Sequence, residues 1–147
     1  MTGDVGERQK HILVVNDTEE ILDLFRSILE EMGHRMTAWS FSPDDLKRLM
    51  EVNPDLVILD LMMGATELQG WALLQKIRMN PPTEDLPVIV CTAATNWVRE
   101  QEGWLAANGV KVVLKPFKVE HLERAVEQAL DLHGMTTLDP AREERAT

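Results

Sequence analysis

Four short apolar runs, each ending on a polar residue able to do chemistry, constrain this chain more than any other feature. Ile12-Leu13-Val14-Val15 runs into Asn16-Asp17, and Leu56-Val57-Ile58-Leu59 into Asp60. Val88-Ile89-Val90-Cys91 runs into Thr92, and Val112-Val113-Leu114 into Lys115. Continuous apolar runs rich in Val and Ile suit strands covered on both faces, as in a parallel sheet. In such open sheets ligands gather outside the carboxyl ends of the strands. Two carboxylates, a hydroxyl and an ammonium delivered there from four distant stretches predict a phosphoryl-binding pocket.

Helical signals alternate with these runs. Ile21, Leu22, Phe25, Ile28, Leu29 and Met32 form one apolar stripe, with Asp17 or Thr18 as its cap and Gly33 as its terminator. A weaker strand is expected over Arg35 to Ser40. Ser42-Pro43-Asp44-Asp45 opens a second helix, which Asn53-Pro54 closes. A third begins near Gly70, carries Leu73, Leu74 and Ile77 on one face, and stops at Asn80-Pro81-Pro82. The fourth spans Asn96 to Asn108, with Gly103 reducing its rigidity and Gly109 ending it. The fifth runs from Val119 to His133, with Leu122, Val126, Ala129 and Leu130 facing inward. Strands alternating with helices of this length predict an α/β fold, a doubly wound five-stranded parallel sheet with helices on both faces. The domain is expected over residues 11–133, with 1–10 a flexible N-terminus and 134–147 a tail or linker.

The 147 residues carry a formal net charge of −10, so direct contact with nucleic acid is not expected. No apolar stretch reaches the roughly 18 residues of a membrane span, and Met1 to Lys10 has no signal-peptide core. The single Cys91 lies in a strand and reads as a reduced core thiol, consistent with a cytoplasmic protein. His11, His34, His121 and His133 show no ligand spacing.

Taken in order, Ile12-Leu13-Val14-Val15-Asn16-Asp17, Asp60-Leu61-Met62-Met63, Thr92-Ala93-Ala94 and Lys115-Pro116-Phe117 resemble the motifs of the response-regulator receiver domain of two-component signalling. The resemblance covers about residues 10 to 133. It implies a flavodoxin-like strand order of 2-1-3-4-5 and a cis Lys115-Pro116 peptide. Asp60 would be the nucleophile that takes a phosphoryl group from a phosphohistidine on a sensor kinase or phosphotransfer protein. Asp17 and Asp60 would ligate Mg²⁺, with the backbone carbonyl of Met62 as a third ligand and Asn16 acting through a water. Thr92 and Lys115 would receive the phosphoryl oxygens. The domain would be a signalling phosphoacceptor, not an enzyme acting on a separate substrate. A downstream protein would bind the fourth-helix to fifth-helix face, and the family leaves room for a homodimer.

The chain departs from the family at four places. Asn16 stands where a second acid is usual, so the pocket carries one negative charge fewer and should hold Mg²⁺ less tightly. Val112 replaces the aromatic residue that commonly rotates in the last strand. Gly64 replaces a customary Pro, and Lys118 replaces an acid or Ser. Trp97 and Trp104, seven apart, share one side of the fourth helix and suit either the core or a partner surface; Trp39 and Trp71 read as single structural rings. Asn16 and Val112 support a second reading, a phosphorylation-independent pseudo-receiver that acts as an interaction module. A phosphohydrolase using a strand-end Asp would need an acid two residues on, where this chain has Met62.

Overall fold

The computed structural model of the protein describes residues 9–40, 46–60 and 69–138. Ser42 to Asp45, Met62, Gly64 and most of both expected tails lie outside the described residues. Five strands form one parallel sheet: β1 (His11–Val15), β2 (Arg35–Trp39), β3 (Leu56–Leu59), β4 (Val88–Thr92) and β5 (Lys111–Leu114). Their order is β2-β1-β3-β4-β5, as the resemblance implied. The described helices are α1 (Glu19–Glu31), α2 (Lys47–Val52), α3 (Gln69–Met79), α4 (Thr95–Glu100), α5 (Glu102–Ala107) and α6 (Val119–Leu138).

Successive strand residues point to opposite faces, and both faces are covered. Ile12, Val14, Ile58, Ile89 and Cys91 pack with Phe25 and Leu29 of α1 and Leu122 and Val126 of α6. Leu13, Val15, Val57, Leu59 and Val90 pack on the other side with Leu49, Leu73, Leu74, Ile77 and Leu105. This is why the central strands read as unbroken apolar runs. Edge strand β2 is only half-buried, which explains its weaker signal.

The backbone turns where the sequence places its terminators. Gly33 and Gly109 have φ of 93° and 63°, the left-handed region open to glycine. Asn53, at φ 51°, caps α2 in the same region, and its N–H bonds to the Leu49 carbonyl.

Three helices differ from expectation. The described α2 starts at Lys47 with Leu46 at its cap position, later than the expected opening at Ser42-Pro43. The predicted fourth helix is two short ones, α4 and α5, separated at Gln101 (φ −101°, ψ 12°). The break falls just ahead of Gly103, in the stretch where helix propensity is lowest. The last helix passes through Gly134 and continues to Leu138, beyond the expected stop at His133. An interior Gly costs a helix only about 1 kcal/mol, and without a following Pro it does not end one.

Candidate functional site

Strand register assembles the polar residues at one edge of the sheet. Val15 pairs with Leu59, Leu59 with Val90, and Val90 with Val112, forming one row across four strands. Asn16 and Asp60 are each one residue past that row, Thr92 two and Lys115 three. Backbone bonds fix the exits: the Asp60 N–H donates to the Val15 carbonyl at 3.2 Å, and the Lys115 N–H to the Thr92 carbonyl at 2.9 Å. The Lys115–Pro116 peptide is cis.

Asp60 and Lys115 meet directly. The Lys115 Nζ lies 3.0 Å from Asp60 Oδ2, with both side chains largely shielded from solvent. A charge-assisted bond in partial burial fixes the carboxylate's orientation. Thr92 is 1% exposed, and its Oγ1 accepts the Ala94 N–H at 3.1 Å. A hydroxyl so held still has its own proton to donate. Ala93 beside it is small and exposed.

Asn16 is 3% exposed. Its Oδ1 accepts the Thr18 N–H at 2.8 Å, an Asx turn leading into α1, and its Nδ2 faces Asp60 Oδ2 at 3.5 Å. The sequence reading aims the amide oxygen at a metal-bound water; in the structure that oxygen is turned to the backbone. The cap expectation shifts as well. Thr18 occupies the cap position of α1 without a side-chain cap bond. Asp17, two residues past the end of β1, is exposed, and Thr18 Oγ1 lies 3.4 Å from its Oδ1. The Met62 carbonyl, the third expected ligand, lies outside the described residues.

The donor set suits a hard cation. Asp17 and Asp60 leave β1 and β3, which are neighbours, and Mg²⁺ needs only one or two carboxylates because it keeps several waters. Among the described residues no three His, Cys, Asp or Glu side chains gather as a metal cluster.

Next to the site, burial pushes the Cys91 thiol up to about 11, a rise that Asp60 reinforces and Lys115 opposes. The thiol therefore stays protonated and inert. Sequence reasoning missed one cluster altogether. Trp71, on α3, stands edge-on to both Trp97 and Trp104, with ring centroids 4.9 and 4.8 Å away. All three rings are half-buried, and they and Val112 pack against the same side of the core. No local pattern in the sequence links Trp71 to the other two.

The fold and this strand-end constellation define a receiver-type α/β domain of flavodoxin-like topology. The chain belongs to the response regulator receiver domain family, whose sequence model matches residues 12–127. It is 34% identical over 119 residues to the phosphate regulon transcriptional regulatory protein PhoB of Rhizobium meliloti, covering 81% of this chain and 51% of PhoB. The two-component response regulator PhoP of Pseudomonas aeruginosa is 32% identical over 119 residues, again with 81% and 51% covered. The chain thus spans about half the length of these curated relatives. Among solved structures, the response regulator TrrA of Thermotoga maritima, in complex with Mg²⁺–BeF, superposes with a TM-score of 0.70 at 29% identity. That superposition covers 83% of this chain and all of TrrA. Among the described residues no helix is long and apolar enough to cross a membrane.

Proposed function

We propose that this domain is a cytoplasmic phosphoacceptor switch, with Asp60 receiving a phosphoryl group from a phosphohistidine on a sensor kinase or phosphotransfer protein. A carboxylate oxygen of Asp60 attacks phosphorus, the phosphorus–nitrogen bond breaks, and the imidazole leaves with that electron pair and takes up a proton. The observation that carries this reading is the 3.0 Å contact between Lys115 Nζ and Asp60 Oδ2. It keeps a cation beside the reacting oxygen, ready to follow negative charge onto the phosphoryl group. Thr92 donates its hydroxyl proton to a second phosphoryl oxygen, and Ala93 leaves room for the group. Asp17 and Asp60, with the Met62 carbonyl, would hold Mg²⁺, which when bound neutralises phosphoryl charge.

Output follows from the same residues. Drawing Thr92 toward a phosphoryl group pulls the segment that leads into α4, so the face formed by α4–α5 and α6, the expected fourth and fifth helices, changes its affinity for a downstream protein. The domain transfers the phosphoryl group only to and from itself. PhoB, about twice this length, is named a transcriptional regulatory protein, but the acidic segment described here is assigned no nucleic-acid contact of its own.

The test is incubation with Mg²⁺ and acetyl phosphate. The expected result is an acid-stable, base-labile mass gain of one phosphoryl group, absent from Asp60→Asn. A folded protein that forms no adduct would instead support the phosphorylation-independent interaction module.

A further inference from the structure

We infer that Asn16 is a specificity-determining residue of the cation corner, one that sets side-chain N–H groups against Asp60 and thereby opposes a divalent cation. The inference rests on the reading of Asp60 and Asp17 as the metal-holding carboxylates. Its basis is the orientation of one amide. A backbone N–H can only donate, so the Asn16 atom 2.8 Å from the Thr18 nitrogen is the oxygen. The other end is then the NH₂ group, and it faces Asp60 Oδ2 at 3.5 Å. An ionised carboxylate only accepts, so the two contacts support the same orientation. At 3% exposure the amide has no route to swing into solvent.

Asp60 Oδ2 is therefore approached by two donors, Lys115 from one strand end and Asn16 from another. A cation at that oxygen meets N–H dipoles pointing the wrong way. For Asn16 to turn its oxygen toward a cation at Asp60 Oδ2, the amide must turn over, because the end that faces that carboxylate is the NH₂ group. That breaks the Asx turn at Thr18 and sets NH₂ against N–H. An Asp at this position would avoid the conflict, since two acceptor oxygens can serve Thr18 and a metal-bound water together. Replacing the usual acid by Asn thus removes a charge and also couples cation binding to the entry of α1.

The coupling separates two accounts that agree on Asn16→Asp and disagree on Asn16→Ala. Mg²⁺ affinity is measured by titration calorimetry on the unphosphorylated protein. Asn16→Asp should bind Mg²⁺ about 10–100-fold more tightly than wild type. Asn16→Ala, which removes the opposing donor without adding charge, should also bind more tightly, by about fivefold, the equivalent of one ordinary hydrogen bond. Asn16→Ser keeps an acceptor for Thr18 and should move in the same direction if the alanine variant fails to fold. Amide exchange at Thr18 should speed up on Mg²⁺ saturation of the wild type and stay unchanged in Asn16→Asp.

Equal or weaker Mg²⁺ binding by the folded Ala or Ser variant would overturn the inference, because the Asn16 amide would then not oppose the cation. That outcome leaves the phosphoacceptor reading intact if acetyl phosphate still modifies Asp60. Failure of Asn16→Asp to bind Mg²⁺ at all would overturn both the inference and the assignment of the metal corner.

Discussion

Lys115 Nζ and Asp60 Oδ2 are 3.0 Å apart although 55 residues separate them in sequence. Only the parallel register of β3, β4 and β5 brings them together, so the contact is a product of the whole sheet. On the proposed chemistry, Lys115→Ala should slow accumulation of the acyl phosphate by about 10²-fold, the usual effect of removing one preorganised stabilising group. A time course of the phosphoryl mass gain measures this. An unchanged rate would remove Lys115 from the site.

Trp71 bridges α3 and the α4–α5 pair through edge-on contacts with Trp97 and Trp104. Trp71→Ala should destabilise the domain by about 3 kcal/mol, at the low end for an aromatic truncation because the ring is half-buried. Urea unfolding followed by circular dichroism measures the loss. A cost below about 0.5 kcal/mol would mean that the cluster contributes no more than an ordinary surface position.

Arg78 is held by backbone carbonyls on two sides, its Nε 2.7 Å from Asn108 O and its Nη1 2.6 Å from Leu86 O. The guanidinium ties α3 to the end of α5 and to the approach of β4. Arg78→Ala should cost about 3 kcal/mol in the same unfolding assay, since two carbonyls lose charged donors. Arg78→Lys should recover little of it, because one ammonium cannot reproduce a planar fork.

At the opposite end of the sheet His34 Nδ1 accepts the Lys10 N–H at 3.1 Å, and His11 Nε2 lies 2.6 Å from Thr37 Oγ1. Burial, then Lys10, holds the His34 pKa below its usual 6.5, against the opposing pull of Asp55 and Glu127. Burial, then Arg35, lowers His11, with Asp55 opposing. Between each lowered folded value and 6.5 the unfolded chain binds more protons, so stability rises with pH there. The contribution is complete above 6.5 and is lost as pH falls through that window. Melting temperatures recorded from pH 7.5 to 5 should therefore drop below about pH 6.5. The drop should be shallower in His34→Gln; an equal drop would place its origin elsewhere.

Much of this fold was legible because β1, β3 and β4 are buried on both faces, which turns strand position into an uninterrupted apolar run. The strand ends announced Asp60 and Thr92 for the same reason: a polar residue right after such a run emerges at the sheet's carboxyl edge; Lys115 follows β5, whose apolar run is only partly buried. The remainder depended on contacts that no local pattern records. The orientation of the Asn16 amide is set by the Thr18 backbone, and Trp71 finds its partners only once α3 packs beside α4 and α5. Gly103 marked a weak stretch of helix, but the interruption fell at Gln101, where the backbone leaves helical geometry while the bond to Trp97 persists.

The central claim is that Asp60 carries the phosphoryl group, and chemical trapping tests it most directly. Protein treated with acetyl phosphate and Mg²⁺ is reduced with labelled borohydride, which converts an acyl phosphate to the corresponding alcohol, and its peptides are mapped. The account predicts one labelled peptide, with homoserine at position 60 and no label in Asp60→Asn. Label at Asp17 or any other carboxylate, or none in a folded protein, would contradict it.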